Sequence, residues 1–315
     1  MLGSDSLAET RAFNESLMEI FESAPPLESV PPAVTRAMRK QGEGFLPPPV
    51  YSPRASWLEI ASRAGVLRLR VLPPQGEPEG VYLHIHGGGW VLGAADEQDL
   101  LLEAVADETG LCAVSVEYRL APEHPYPAGH EDCEDAALWL LERGAAELGV
   151  PATFAIGGES AGASLSAATL LRLRDRHGIT GAFAAANLVF GAFDLTGTPS
   201  RLLWGDRQLV LSDTVMTWFT KCLVGVVDDR TCRNPDLSPL YADLRDMPPA
   251  LFTVGTADAL LDDSLFMAAR WEAAGNRAEL RVYEEACHAF TAFPIAVARE
   301  ANEAQLAFLR DSISA

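Results

Sequence analysis

Short apolar runs alternate with longer amphipathic stretches over most of this 315-residue chain, and that alternation leaves few folds open. Residues 81–85, 112–116, 153–156, 185–190, 250–254 and 280–283 are brief and largely apolar, the pattern of strands buried on both faces. Between them, residues 96–108, 131–148, 161–176, 262–274 and 295–313 read as amphipathic helices, two of which end at Gly178 and Gly275. Such alternation predicts a mostly parallel sheet with helices on both faces. Residues 56–62 and 66–72 instead alternate apolar with polar around Gly65, as an antiparallel hairpin does. The expected sheet is therefore mixed and eight-stranded.

Two segments stand outside this rhythm. Residues 7–23 carry Phe13, Leu17, Met18 and Phe21 at helical spacing; Pro25-Pro26, a second short helix over 32–41 and Pro47-Pro48-Pro49 follow. These helices are placed to cover a sheet end or the mouth of a site. The long connection between Phe190 and Ala250 holds an amphipathic helix over 209–223, with Val215, Trp218, Phe219 and Leu223. A connection of that length usually carries function or a lid. No repeat or low-complexity tract is visible.

Composition excludes several classes. The net charge of −20 argues against nucleic acid or an anionic membrane as partner. The five cysteines are scattered with no CxxC pair, so neither a disulfide framework nor a zinc site is expected. Cys112 and Cys133 lie in apolar stretches and read as core; Cys287, beside His288, reads as packing rather than as a reactive thiol. The N-terminus lacks a basic start followed by an apolar run, and no apolar stretch approaches the roughly 20 residues of a membrane helix. A cytoplasmic protein without a membrane span is expected; monomer and homodimer both stay open.

The chemistry-bearing motifs lie at predicted strand ends. Gly158-Glu159-Ser160-Ala161-Gly162 fits G-x-S-x-G between a strand and a helix. The pattern alone arises by chance in roughly one chain in ten of this length. Its strand-to-helix setting is what a nucleophile turn requires, because the turn exposes the serine and the helix start offers free N–H groups. Glycines on both sides let the strand and helix backbones approach closely.

His86-Gly87-Gly88-Gly89-Trp90 follows the strand at 81–85. Attack on an ester carbonyl places negative charge on its oxygen, and aimed backbone N–H groups stabilise it, at about 2.7–4 kcal/mol per donor. Gly88, Gly89 and Ala161, the residue after the serine, are the candidate donors. A phosphate-binding loop is excluded, since neither G-x-G-x-x-G nor a following Gly-Lys-Ser/Thr is present. His86 reads as an anchor of the loop.

A serine hydroxyl needs a neighbouring base. His288 follows the last strand by a few residues, whereas the other five histidines lie within strands, helices or a loop. Asp258 follows the strand at 250–254, and Ser160, Asp258, His288 have the chain order of α/β-hydrolases. Asp262 competes for the role of acid and is read as the N-cap of the next helix.

With these residues in place, the chain resembles the hormone-sensitive lipase-like, or bacterial family IV, esterases of the α/β-hydrolase superfamily. The resemblance spans about residues 55–310. His86–Trp90 is similar to the family's HGGG oxyanion motif, and Tyr118-Arg119-Leu120-Ala121-Pro122-Glu123 with Pro125-Tyr126-Pro127-Ala128 to its YRLAPE and FPA segment. Asp258-Ala259-Leu260-Leu261-Asp262 resembles DPLRD, and His288-Ala289-Phe290 resembles HGF. The family usually has Asp or Thr at Glu159, Gly-Asn at Ala163-Ser164, Pro at Ala259 and Gly at Ala289; none of these departures removes a catalytic atom. The resemblance implies an α/β-hydrolase fold with a helical cap, formed by residues 1–50 with help from about 199–227, on a catalytic domain 51–315. It also places Trp90, Trp204, Trp218 and Phe219 as candidate substrate-binding aromatics. The Tyr118–Glu123 segment is read as a brace for the loops.

The expected reaction is acyl transfer from a small-molecule ester to water, with no metal or cofactor. His288 takes the Ser160 proton, Asp258 orients the imidazole, and Gly88, Gly89 and Ala161 hold the oxyanion. Short or medium acyl chains are expected from family analogy. An amidase such as an arylformamidase would use the same triad. A ligand-binding receptor on a hydrolase scaffold, as in plant gibberellin receptors, is the alternative from another class; those lose the histidine that this chain keeps.

Overall fold

A computed structural model describes residues 4–313; the first three residues of the N-terminal segment and the last two of the chain lie outside it. In chain order the elements are α1 (Ser4–Ser23), α2 (Pro32–Lys40), β1 (Ser56–Ser62), β2 (Gly65–Leu72), β3 (Gly80–Ile85), α3 (Asp99–Thr109) and β4 (Leu111–Val116). Then come α4 (Ala128–Trp139), α5 (Ala145–Leu148), β5 (Phe154–Glu159), α6 (Ala161–His177), β6 (Ala185–Val189), α7 (Pro199–Trp204), α8 (Asp213–Val224) and α9 (Asp229–Cys232). The chain closes with β7 (Ala250–Ala257), α10 (Leu261–Ala273), β8 (Ala278–Cys287) and α11 (Ala296–Ile313).

The eight strands form one sheet in the order β1-β2-β4-β3-β5-β6-β7-β8. Only the β1–β2 and β2–β4 pairs are antiparallel. Each central strand serves two cores, because successive side chains point to opposite faces. On β3, Val81, Leu83 and Ile85 join the core beneath α4, α6 and α10, whereas Tyr82 joins the core shared with α3 and α11. A third cluster binds Leu17 of α1 to the ends of β7 and β8 and the start of α11. Among the described residues no helix is long and apolar enough to cross a membrane.

Differences from the expected elements have local causes. The helix expected over 131–148 is two helices joined by a π-helical turn, Leu140–Gly144. A Cβ on Gly144 would lie 2.8 Å from the Trp139 ring, so the indole occupies space that only glycine leaves. The helix expected from 209 starts at Asp213, because Ser212 caps it by accepting from the Val215 amide. β5 runs past its expected end at residue 156 through Gly157 and Gly158, both of which pair with β3 and β6. Asp262 is not the N-cap of α10: Leu260 holds that position, and the Asp262 carboxylate accepts from the Ser200 amide at 2.7 Å. The Asp258 side chain already accepts from the Leu260 amide, which turns the chain into the helix two residues earlier.

Candidate active site

Three loops meet at the carboxyl end of the sheet, where open α/β sheets hold their ligands. The sharpest bend follows β5. Ser160 has φ 55° and ψ −119°, a backbone strain that side chains rarely accept. Tight packing enforces it: a Cβ on Gly158 or on Gly162 would lie 1.9 Å from the Ile85 carbonyl oxygen at the end of β3. The Ser160 amide donates to Val189 O, and Ala161 opens α6 directly behind it.

His288 Nε2 lies 2.9 Å from Ser160 Oγ, and His288 Nδ1 lies 2.8 Å from Asp258 Oδ2. Asp258 and His288 are buried, while Ser160 is half-exposed. The carboxylate accepts from Nδ1, which leaves Nε2 as the atom facing the hydroxyl. The Phe190 ring packs 4.8 Å from the imidazole, centroid to centroid. Cys287 does not compete as a nucleophile, because burial, helped by Asp258, pushes its thiol up to about 12.

The glycine loop after β3 faces the serine turn. Gly88 and Gly89 have φ of 113° and 60°. A Cβ on Gly88 would fall 2.2 Å from Leu92 O, and one on Gly89 would fall 2.4 Å from the Phe219 ring. No hydrogen bond to a described residue uses the Gly88 or Gly89 amide. His86 stacks on Tyr118 at 4.2 Å, its Nδ1 lies 2.8 Å from Gly87 O, and its carbonyl accepts from the Tyr118 hydroxyl. Burial lowers His86 to about 4, so this ring anchors the loop without a charge at neutral pH. Arg119 grips Asp132 and Ala128 O, bracing the segment beside it.

Of the candidate aromatics, Phe219 packs directly on the glycine loop and Trp218 lies 5.0 Å from it, ring to ring. Trp90 is 3% exposed and lies in the main core. Trp204, half-buried, bonds Leu211 O through Nε1 and packs on Arg207. Among the described residues no cluster of His, Cys, Asp or Glu could hold a metal ion. Sequence reasoning missed Phe190, Arg36 and Asp263. Arg36 of α2 donates to Val91 O at 2.7 Å and Ala121 O at 2.9 Å, tying the N-terminal helices to the glycine loop. Asp263 accepts from the amides of Phe193 and Asp194 and from Thr198 Oγ1, holding the loop after β6. Each of these contacts spans at least 55 residues, beyond any local pattern.

A strand–serine–helix turn on a mostly parallel eight-stranded sheet, with an aspartate and a histidine from later loops beside the serine, is the arrangement of the α/β-hydrolase class. Residues 82–292 match the family described as alpha/beta hydrolase fold. Carboxylesterase NlhH of Mycobacterium tuberculosis is 34% identical over 244 residues, covering 75% of this chain and 74% of that protein. An acetyl esterase of Salmonella schwarzengrund is 29% identical over 72% of this chain and 70% of its own. The hyperthermophilic esterase of the archaeon Pyrobaculum calidifontis superposes with a TM-score of 0.85 at 29% identity, covering 96% of this chain and 98% of that one. The chain belongs to the α/β-hydrolase family, in its hormone-sensitive lipase-like branch, and is a carboxylic ester hydrolase.

Proposed function

We propose that the protein is a serine carboxylesterase acting on short- to medium-chain esters through an acyl-enzyme. The observation that carries this reading is His288 standing between Ser160 and Asp258 at hydrogen-bond distance from both. His288 takes the Ser160 proton as the hydroxyl oxygen attacks the ester carbonyl. The oxyanion then accepts from the amides of Gly88, Gly89 and Ala161, two of which have no partner among the described residues. His288 hands its proton to the leaving alcohol, and water releases the acid by the same route. Asp258 holds the imidazole tautomer and stabilises the imidazolium. The sequence requires no metal or cofactor.

Residues 1–50 and about 199–227 act as a cap over the catalytic domain 51–315, with Phe219 and Trp218 walling the site. Arg36 on Val91 O and Phe219 against Gly89 support that reading. The short acyl preference is supported by the acetyl esterase relative. Five unpaired cysteines suit a reducing cytoplasm.

The test is labelling with a fluorophosphonate, together with hydrolysis of p-nitrophenyl esters from acetate to palmitate. Label is expected on Ser160, with turnover greatest at short to medium chains and lost in Ser160→Ala. Turnover at the unsubstituted rate in Ser160→Ala would exclude the mechanism, and a maximum at palmitate would exclude the chain-length reading.

A further inference from the structure

The oxyanion donors sit on two elements far apart in sequence, Gly88 and Gly89 on the loop after β3 and Ala161 on the turn after β5. One developing oxygen must lie about 2.7–3.1 Å from donors on both. Their mutual placement must then hold to within about 0.5 Å. The β3–β5 pairing ends at Ile85↔Gly158, before either set of donors begins.

One side chain bridges that gap. Glu159 immediately precedes the nucleophile and is 8% exposed. Its Oε2 lies 3.1 Å from His84 Nε2 and accepts from Gln98 Nε2, also at 3.1 Å. His84, fully buried, has its other nitrogen 2.8 Å from Ser115 Oγ on β4. A carboxylate only accepts, so His84 Nε2 and Gln98 both donate to it. His84 stands two residues before the glycine loop leaves β3, and Gln98 stands where the chain enters α3. The carboxylate thus grips both ends of the segment 86–97 that carries the loop. The backbones touch as well, since a Cβ on Gly87 would fall 2.8 Å from the Glu159 carbonyl oxygen.

We propose that Glu159 is a positioning residue, whose grip on His84 and Gln98 sets the distance between the glycine loop and Ser160. The proposal rests on the Ser160 reading above. Glu159 touches no reacting atom and acts through the loop. Glutamate suits the place because its length reaches His84 across the strand pair. An aspartate would withdraw the carboxylate by one methylene, and a glutamine would turn an N–H₂ toward one of the two donors.

The variants are Glu159→Gln, Glu159→Asp, His84→Gln and the double variant Glu159→Gln/His84→Gln. The readouts are kcat and KM with p-nitrophenyl butyrate, Ki for an aryl trifluoromethyl ketone, circular dichroism and fluorophosphonate labelling. The ketone's adduct with the serine places its oxyanion where the transition state does. Glu159→Gln is expected to lower kcat by about ten- to a hundred-fold, with KM changed by less than about threefold. The ketone Ki should rise by about the factor lost in kcat/KM. Glu159→Asp should recover part of the loss. The double variant should be no worse than Glu159→Gln by more than about twofold, because the two residues act as one unit.

A folded Glu159→Gln protein with unchanged kcat and Ki would overturn the proposal. So would a loss confined to KM, or one that tracks only the folded fraction. Absence of label on Ser160 in the unsubstituted protein would overturn the site reading and this proposal together. Normal labelling with an unaffected Glu159→Gln variant would overturn the proposal alone.

Discussion

A carboxyl enclosed by protein is hard to ionise, and Asp263 is such a group. Burial raises it from its ordinary 3.8 to about 7, although Thr198 and the amides of Asp194 and Phe193 favour the carboxylate. Between those two values the native state holds a proton that the unfolded chain has lost. Stability contributed here is therefore present at low pH and declines as pH rises from about 4 to about 7. Asn can replace Asp in this pocket, with its carbonyl oxygen accepting both amides and its N–H₂ donating to the Thr198 hydroxyl. Asp263→Asn is expected to lose less of its thermal midpoint than the parent between pH 5 and pH 8. Calorimetry at both values checks this, and parallel shifts in the two proteins would count against it. At this scale Ser160, Asp258 and His288 were legible, because each sits in a short motif at the end of an apolar run. Asp263 was not, because its three donors come from a loop 65 to 70 residues away and no local pattern marks it.

The N-terminal helices attach to the rest of the molecule very differently. α1 buries Leu17 against β8 and α11, and its Asn14 donates to Glu285 O just before the His288 loop. α2 buries no residue at all. It is held through Arg36 to Val91 O, Ala121 O and Glu123, and through Arg39 to Glu97 and the carbonyls of Leu46 and Pro47. An element with so little apolar burial opens at low cost once its polar ties are cut. Arg36→Ala is expected to speed proteolytic cleavage within residues 24–50 several-fold. Global unfolding should change by no more than about 2 kcal/mol, because the ties lost are part-buried or exposed polar contacts and no apolar side chain of α2 is buried. Limited digestion beside chemical denaturation reads both quantities; slow cleavage with a large loss of stability would show α2 to be part of the cooperative core. Helix periodicity made α2 visible as an element. Which carbonyls its arginines reach is set by the glycine loop and the turn at Ala121, and periodicity carries nothing about either.

Across the whole molecule, one ionic network joins the hairpin to the helices on one face of the sheet. Glu134 of α4, buried, receives Arg172 at 3.0 Å, Arg176 at 3.3 Å, His177 at 2.9 Å and Arg63 from the β1–β2 turn at 3.0 Å. Burial opposes its charge, but His177 and the arginines outweigh burial and hold its carboxyl below the ordinary range. Arg172 also pairs with Asp236, beyond α9. Removing Glu134 takes one of two carboxylates from the buried Arg172, which keeps Asp236, while Arg63, Arg176 and His177 stay partly exposed to water; the cost is about 1–3 kcal/mol. Glu134→Ala should lower the denaturation midpoint accordingly while KM for a small ester stays unchanged, since the network lies away from Ser160. A midpoint within error of the parent would show the network to be balanced by desolvation.

Eight strands, their alternation with helices and the three residue types waiting at strand ends were legible in the chain alone. Those signals are local: side-chain periodicity, glycine where backbones crowd, and polar residues where an apolar run stops. Which atoms meet follows from the packing of the folded sheet. Parallel strands brought β3, β5, β7 and β8 to a common edge, so that residues 30 and 128 positions from His288 became its neighbours. The same convergence chose Glu159 and His84, 75 positions apart, as partners. Contact between distant residues depends on how the whole sheet closes, and no window of the chain contains that information.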